Sequence, residues 1–429
     1  MKWASRIFII TLAIGFQQCE DTCVVENTFV YLEPVYSTSA EIKAAAGFKA
    51  PQEIHKAGKI YFYENFIFVN EIGEGIHFID NSNPASPNPV GFLNIPGNLD
   101  LAIQNDLLYA DSYIDLIVFD ISNLNQIKEV NRIERLFNAY NSFGFYSDPL
   151  KGVVTDWVKK ENVTIQRSAC NTQMQSWGGM HAEDGRGIFL ASSAYSNIKS
   201  MGATQNNTQG IGGSMARFTL SGNYLYALDG SDLDILSLAN GKWPEVKKEI
   251  PVGWDVETLF PHNQKLFMGA QSGMYIYSLE IPEAPALLSH YTHVQSCDPV
   301  VVEGDYAYVT LRSGNSCRGF TNQLEVIDIK NPKTPILVRT YPMTNPSGLG
   351  IDNGILFICD GTAGLKIFDA KDVNTISSNQ LANYSTINAL DIIPYNKVAM
   401  MIGSDGLYQY DYTDIKNIKL LSTLPILKQ

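Results

Sequence analysis

The sequence predicts an all-β fold, a seven-bladed β-propeller with one long insertion between the second and third blades. The first observation is a recurring unit of short strands, whose clearest copy runs through residues 101–105, 107–111 and 116–122. The second is the spacing, because equivalent positions recur about every 41 residues, within the range typical of propeller blades. A single twisted sheet cannot bury both of its faces until neighbouring sheets stack against it around an axis.

Two positions define the repeat. The second strand carries an aromatic residue, or alanine in the last copy, at Phe68, Tyr109, Tyr226, Phe267, Tyr308, Phe357 and Ala399. The third strand, which mostly ends in aspartate, returns at residues 76–80, 116–122, 233–237, 274–278, 324–328, 365–369 and 407–411. An open solenoid has shorter repeats, and two β-sandwiches would not keep one spacing so constant. Six or eight blades stay open as alternatives, because the insertion is long enough to hold a degenerate unit.

These repeats divide the chain into segments. Residues 59–427 form the propeller, residues 138–213 form the insertion, and residues 19–58 form an N-terminal linker that braces the seam at blade seven. Within this linker, Ser39 is expected to cap a short helix. In a propeller the connections between blades and the hairpins between second and third strands open on one face. The insertion therefore belongs to that face, where it can cover the mouth of the channel.

Composition and charge exclude several classes of protein. The chain has 429 residues, 45% of them hydrophobic, only 6 cysteines, and a net charge of −13. The apolar content is too high for a disordered chain, the cysteines are too few for a disulfide scaffold, and no interior apolar run is long enough for several membrane spans. The acidic surplus and the lack of clustered Lys and Arg argue against nucleic acid as a partner.

The first residues indicate an export signal. Lys2 and Arg6 precede an apolar run at residues 7–16, which is too short for a permanent membrane span. Cys19 and the acidic residues after it resemble the lipoprotein signals of Bacteroidetes-type bacteria. The resemblance implies cleavage after residue 18, acylation of the Cys19 thiol and anchoring in the outer membrane. Gln18 departs from the small residue usual at that position, and ordinary secretion with cleavage near Gly15 is the alternative.

Three segments carry a third strand followed by a turn that contains Asn, namely residues 79–84, 116–125 and 324–335. They resemble the LVIVD repeat, and the resemblance extends over roughly residues 59 to the C-terminus without the insertion. Leu124 stands where the proline of the turn would be, and Ser237 and Ser278 replace the closing aspartate. The resemblance implies a propeller in exported bacterial proteins, often lipoproteins, mostly without an assigned activity.

Acidic residues gather at the turns between second and third strands, on the face that carries the insertion. Carboxylates that converge on one rim would bind a cation or a basic or hydroxyl-rich ligand, with aromatic, histidine and arginine side chains nearby for stacking and hydrogen bonding. In the structural alternative, Asp accepts hydrogen bonds from the backbone of its own turn. The candidate binding residues are Asp111, Asp115, Trp177, His181, Asp229 and Arg312.

The cysteines fit the same geometry. Cys297 lies in the connection before blade five and Cys317 in that blade's enlarged loop, so both open on the face of the insertion. A Cys297–Cys317 disulfide is expected in an oxidising compartment, with Cys170 as the competing partner. Cys170 and His181 alone do not supply the four ligands that zinc requires, so neither a metal nor another cofactor is predicted.

Catalytic motifs are absent from the sequence, including the G-x-S-x-G elbow, H-E-x-x-H, the Walker loop and G-x-G-x-x-G. The favoured hypothesis is therefore a non-enzymatic lipoprotein of the cell envelope that binds a glycan or an envelope protein on the insertion-bearing face. The alternative is a hydrolase or lyase acting on glycans or esters with its acid and base among the rim carboxylates, since one fold can host many activities.

Overall fold

The computed structural model describes residues 22–137, 147–148, 150–169, 193–195, 209–293, 299–314 and 321–427. They belong to two compact units, of which the smaller holds residues 22–35 and 156–169 and the larger holds the rest. In the smaller unit, parts of strands β1 (Thr22–Ser37) and β12 (Gly152–Ala169) lie side by side, and Lys160 forms an ion pair with Glu33 at 3.5 Å. No helix among the described residues is both long and apolar enough to span a membrane.

The larger unit is built from antiparallel sheets in which four consecutive strands lie side by side in chain order. Sheet I contains β3 (Ala57–Tyr63), β4 (Phe66–Glu71), β5 (Gly75–Asp80) and β6 (Asn88–Asn94). Sheet II contains β7 (Leu101–Gln104), β8 (Leu107–Ser112), β9 (Asp115–Asp120) and β10 (Lys128–Ile133). Sheet III contains β16 (Phe218–Ser221), β17 (Tyr224–Asp229), β18 (Asp232–Ser237) and β19 (Glu245–Pro251).

The other four sheets repeat the pattern. Sheet IV contains β20 (Val256–His262), β21 (Lys265–Ala270), β22 (Gly273–Ser278) and β23 (Ala286–Thr292). Sheet V contains β24 (Val300–Glu303), β25 (Tyr306–Leu311), β26 (Gln323–Asp328) and β27 (Ile336–Pro342). Sheet VI contains β28 (Leu349–Asp352), β29 (Ile355–Cys359), β30 (Leu365–Asp369) and β31 (Gln380–Tyr384), and sheet VII contains β32 (Ala389–Tyr395), β33 (Val398–Gly403), β34 (Gly406–Asp411) and β35 (Lys419–Pro425).

The prediction of a nearly all-β chain of repeated sheets is confirmed. Every second strand carries its repeat residue in a buried position: Phe68, Tyr109, Tyr226, Phe267, Tyr308, Phe357 and Ala399. The third strands lie where the repeat places them, and each is buried over most of its length because sheets pack on both of its faces. Large aromatic side chains at this position in six of the seven sheets fill the space between neighbouring sheets.

The aspartate that closes the third strand has a physical role in the turn that follows. Its carboxylate accepts a hydrogen bond from the backbone N–H two residues later, at 2.8 to 3.2 Å, in sheets I, II, V, VI and VII. Such an Asx turn fixes the reversal into the fourth strand. The hydroxyls of Ser237 and Ser278 accept the equivalent bonds at 3.4 and 3.3 Å in sheets III and IV, so the departures from the motif preserve the turn.

Consecutive sheets share hydrophobic cores, and sheet VII shares one with sheet I. The first strands of neighbouring sheets contact each other, and β32 also contacts β3. Ile60 and Val69 of sheet I pack with Met400 and Ile402 of sheet VII in one buried cluster. The side-chain amides of Asn81 in sheet I's third-to-fourth-strand connection and Gln409 of sheet VII exchange two hydrogen bonds of 2.9 and 2.7 Å.

The N-terminal segment contacts sheet I and sheet VII. Helix α1 (Ser39–Ala45) is capped by Thr38 in a capping box with Glu41, so the predicted Ser39 cap is wrong by one residue. Strand β2 (Gly47–Lys49) adds to the outer strand of sheet I. Ile54 then bridges Ile426 after the last strand.

Short strands from within residues 138–215 have several partners. Strand β11 (Ser147–Asp148) pairs with β12, and β14 (Ile211–Gly212) pairs with β3 at the inner edge of sheet I. Strand β13 (Ser193–Tyr195) pairs with β15 (Ser214–Met215), and both contact the first strands of sheets IV and VII. The end of the insertion therefore runs among the first strands of several sheets.

Candidate functional site

The structure describes four of the six candidate binding residues. Trp177 and His181 lie outside the described residues, as do the lipidation candidate Cys19 and the disulfide candidates Cys297 and Cys317. The four described candidates lie at or next to the connections between second and third strands in three sheets, II, III and V. They are Asp111, Asp115, Asp229 and Arg312.

Carboxylates at the ends of second strands hold the connection that enters their own sheet. Asp111 Oδ1 accepts hydrogen bonds from the backbone N–H groups of Leu99 and Asp100 at 2.7 and 2.9 Å, and from Asn98 Nδ2 at 2.8 Å. Glu71 binds the backbone of His55 and Lys56 in the same way, and Asp360 that of Thr344 and Asn345. In sheets I, II and VI, the connection that enters the sheet and the connection between its second and third strands therefore lie at the same end, and these carboxylates are structural clamps.

Asp115 forms a second kind of clamp. Its Oδ2 lies 2.9 Å from Arg132 Nη1 in the outer strand of sheet II, and its Oδ1 accepts a bond of 2.9 Å from the Arg135 backbone N–H. Arg132 also binds Glu129 at 2.9 Å. Asp115 and Arg132 are mostly buried, so the pair joins the third strand to the end of the fourth.

Asp111 and Asp229 are brought together by Arg217, which sequence reasoning missed. Arg217 is buried, donates to the Leu228 carbonyl at 2.7 Å, and is attracted by Asp111, Asp100 and Asp229. Burial nevertheless lowers the pKa of Arg217. Burial likewise raises the pKa of Asp111 to about 6, although backbone N–H groups and Arg217 oppose the shift.

The same charged cluster continues toward sheet I. Lys59 of β3 pairs with Asp100 at 2.5 Å, and burial lowers the pKa of Lys59. Asp100 Oδ2 also accepts from the backbone N–H groups of Arg217 and Phe218. The signal that sequence reasoning overlooked is a charged residue at the edge of an apolar strand, in Lys59-Ile60 and Arg217-Phe218.

Ser214, the first residue after the insertion, makes polar contacts to two other sheets. Ser214 donates to Asp391 Oδ1 of sheet VII at 3.0 Å, and its oxygen accepts from the Leu349 backbone N–H of sheet VI at 2.8 Å. Burial raises the pKa of Asp391 well above its ordinary value. Within the described part of the chain, no group of three or more His, Cys, Asp and Glu side chains has the arrangement of a metal site.

A different part of the same end of the sheets is accessible to solvent. Trp254, in the connection that enters sheet IV, is 75% exposed. The next residue, Asp255, accepts a hydrogen bond of 3.1 Å from the Ser272 backbone N–H. Tyr275 and His290, paired across the outer strands of sheet IV, stack with their ring centres 3.9 Å apart and their planes 4° apart. The Ser272 hydroxyl lies 3.3 Å from His290 Nε2 and 3.5 Å from the Tyr275 hydroxyl.

Arg312 of sheet V extends this surface. Its charge interacts with that of Glu257 on β20, and Glu257 accepts a hydrogen bond of 2.8 Å from Gln271 Nε2. Burial raises the pKa of Glu257 and lowers that of Arg312. We call the set formed by Trp254, Glu257, Tyr275, His290 and Arg312 the sheet IV–V surface.

The clamp role of Asp111 predicts a large effect on stability. Asp111→Ala leaves the buried backbone N–H groups of Leu99 and Asp100 without their acceptor and removes one of the bonds of Asn98 Nδ2. It should lower the free energy of unfolding in urea by about 3 kcal/mol. Asp111→Asn keeps one side-chain oxygen and should cost less.

The raised pKa of Asp111 predicts a dependence on pH. Because the pKa of this carboxyl is higher in the folded state, its protonation stabilises the fold. That stabilisation is fully present below about pH 4 and is lost as the pH rises through 6. The advantage of wild type over Asp111→Asn should therefore shrink from pH 4 to pH 7; an unchanged stability of Asp111→Ala would contradict the clamp.

Comparisons with known proteins agree with this architecture. The LVIVD repeat model matches residues 55–94 and 296–343, less than half of the chain. These segments include the resembling residues 79–84 and 324–335, whereas residues 116–125 lie outside them. Among curated proteins, none matches the sequence.

Several solved structures are similar to this chain at low sequence identity. The computationally designed Ika8 protein has a TM-score of 0.50 at 11% identity and covers 88% of this chain and 90% of its own. Hsv2 of Kluyveromyces lactis has a TM-score of 0.47 at 10% identity, with 86% and 100% covered. Sqt1 of Saccharomyces cerevisiae has 0.47 at 8% identity, with 89% and 87% covered. The chain is thus a β-propeller protein that contains LVIVD repeats.

Proposed function

We propose that this protein is an exported, lipid-anchored binding module of the cell envelope. In this proposal its seven repeated sheets close into a seven-bladed propeller, and the insertion-bearing face holds a glycan or an envelope protein without catalysis. The observation that carries the binding role is the sheet IV–V surface, where a tryptophan and a stacked aromatic pair lie beside partly buried polar groups. Aromatic side chains with a few placed polar groups are typical of ligand sites.

Closure of the propeller is supported by the contacts between the first and last sheets. Ile54 pairs with Ile426, and Asn81 pairs with Gln409, although each pair is separated by more than three hundred residues of chain. The described residues contain one four-stranded unit for each of the seven predicted repeats. This correspondence supports seven blades.

The engagement of the rim carboxylates favours binding over catalysis. Asp111 and Asp115 each accept several hydrogen bonds from the fold itself. A general acid or base must reach the substrate proton from a hydrogen-bonding position. Carboxylates committed to backbone N–H groups and to Arg132 are poorly placed for that task.

The proposed localisation in the cell envelope rests on the residues that precede the first strand. The export signal occupies residues 1–18, and strand β1 begins at Thr22, three residues after Cys19. A chain of three residues spans at most ~11 Å. Acylation of Cys19 would thus hold the start of β1 next to the outer membrane. The Cys297–Cys317 disulfide remains part of this proposal, since both thiols would face an oxidising compartment.

The lipid anchor predicts different behaviour of two neighbouring cysteines. Cys19→Ser should abolish acylation and move the protein from the membrane fraction to the soluble periplasmic or secreted fraction. Cys23→Ser, four residues away, should leave acylation and fractionation unchanged. Incorporation of a labelled fatty acid, followed by fractionation and immunoblotting, makes the comparison. Equal acylation of wild type and Cys19→Ser would remove the anchor from the proposal.

The binding role predicts that a substitution at one end of sheet V weakens binding to the cell envelope and that a substitution at the other end does not. Mature protein should sediment with isolated cell-envelope material, and Arg312→Ala should reduce the retained fraction by several-fold because it removes a polar group of the sheet IV–V surface. Lys333→Ala is the matched control, since Lys333 is an exposed cation at the opposite end of the same sheet. Absence of retention, or turnover of a glycan or ester by the wild-type protein, would contradict a non-enzymatic binding module.

A further inference from the structure

We propose that the ligand of the sheet IV–V surface is a neutral carbohydrate, whose ring stacks on Trp254 and whose hydroxyls bind the polar groups beside it. This inference rests on the proposed binding function and assigns its ligand class. The aromatic groups, the planar polar groups and the charges of the surface each favour such a ligand.

Trp254 is an exposed side chain on a loop that hydrogen bonds hold in place. A tryptophan that leaves 75% of its surface in water gives up most of the stabilisation that burial provides. Its loop is nevertheless held in place, because Asp255 binds the Ser272 backbone N–H at 3.1 Å and the Asp255 carbonyl accepts from the Gln271 N–H at 2.9 Å. An exposed indole next to a backbone that is held in this way offers a flat apolar face, which matches the C–H face of a sugar ring.

The stacked pair beside this loop supplies a second set of flat groups. The ring planes of Tyr275 and His290 are nearly parallel. The Ser272 hydroxyl lies within hydrogen-bonding distance of both the Tyr275 hydroxyl and His290 Nε2. Burial lowers the pKa of His290, which favours its neutral form. The tyrosine hydroxyl, the serine hydroxyl and the imidazole each donate or accept hydrogen bonds, as sugar hydroxyls do.

The charged groups of the surface are one oppositely charged pair and, beside it, the buried carboxylate of Asp255, whose charge acts on both Glu257 and His290 and disfavours an acidic ligand. Glu257 and Arg312 are oppositely charged partners, and Gln271 adds a neutral amide bonded to Glu257 at 2.8 Å. A carboxylate, a guanidinium and an amide are planar and present two polar atoms at a fixed spacing, which suits adjacent hydroxyls. Because the pair carries no net charge, it gives little electrostatic preference for an acidic or a basic ligand. The chemistry therefore favours a neutral polyhydroxyl ligand.

The test measures binding of defined oligosaccharides to the mature full-length chain by titration calorimetry. The probes are neutral tetrasaccharides of glucose, mannose and N-acetylglucosamine, with a galacturonic acid tetrasaccharide as the charged comparison. At least one neutral probe should bind, and Trp254→Ala should weaken it about tenfold or more, as loss of an aromatic anchor does at other binding sites. Trp243→Ala is the matched control: Trp243 is 62% exposed in the connection between the third and fourth strands of sheet III.

Both tryptophans are exposed, so neither substitution should change the thermal unfolding midpoint appreciably. Equal binding by wild type and Trp254→Ala, or tighter binding of the charged probe than of every neutral one, would overturn the assignment. If no oligosaccharide binds while envelope material is still retained and is released by Arg312→Ala, the ligand is of another class and the proposed function stands. Failure of both assays overturns both proposals.

Discussion

The packing of sheet I against sheet VII is the constraint on which the larger unit depends. A four-stranded sheet that is apolar on both faces is stable only between two neighbours, and the first and last sheets of a linear row would each leave one face in water. Here Ile60 and Val69 share a buried cluster with Met400 and Ile402, so neither end sheet exposes its apolar face at this contact. The ring that we infer follows from that burial and from no feature of any single repeat.

Within the larger unit, many acidic residues have one of two structural roles. Those that close third strands form Asx turns, and those that end second strands hold the entering connection. Both roles place carboxylates at regular intervals along the chain. In the sequence alone, these carboxylates are hard to distinguish from a set that converges on one rim to bind a ligand. The surface better suited to a ligand is less regular. No other sheet has a tryptophan at the position of Trp254. The Tyr275–His290 stack corresponds in register to the His77–Phe92 pair of sheet I, but the planes of that pair are tilted by 55°.

The sequence predicts most of the fold because its signals are local and periodic. Positions such as Phe68 and Asp328 recur at a nearly constant spacing, and each determines the structure of its own sheet. The cluster of Lys59, Asp100 and Arg217 was not predictable in this way, because its members come from three sheets that meet only after the chain folds. Of the candidate binding residues, Asp111 acts as a clamp within the fold, whereas Arg312 belongs to the surface for which we propose a ligand.

The most direct test of closure is a double-mutant cycle at the contact between the two end sheets. Asn81 and Gln409 are buried and exchange two hydrogen bonds across the seam. Urea unfolding of Asn81→Ala, Gln409→Ala and the double variant should give a coupling free energy of about 1 kcal/mol or more, since each single change leaves the other amide without its partner. Free energies that add to within about 0.5 kcal/mol would mean that the two sheets do not meet in solution.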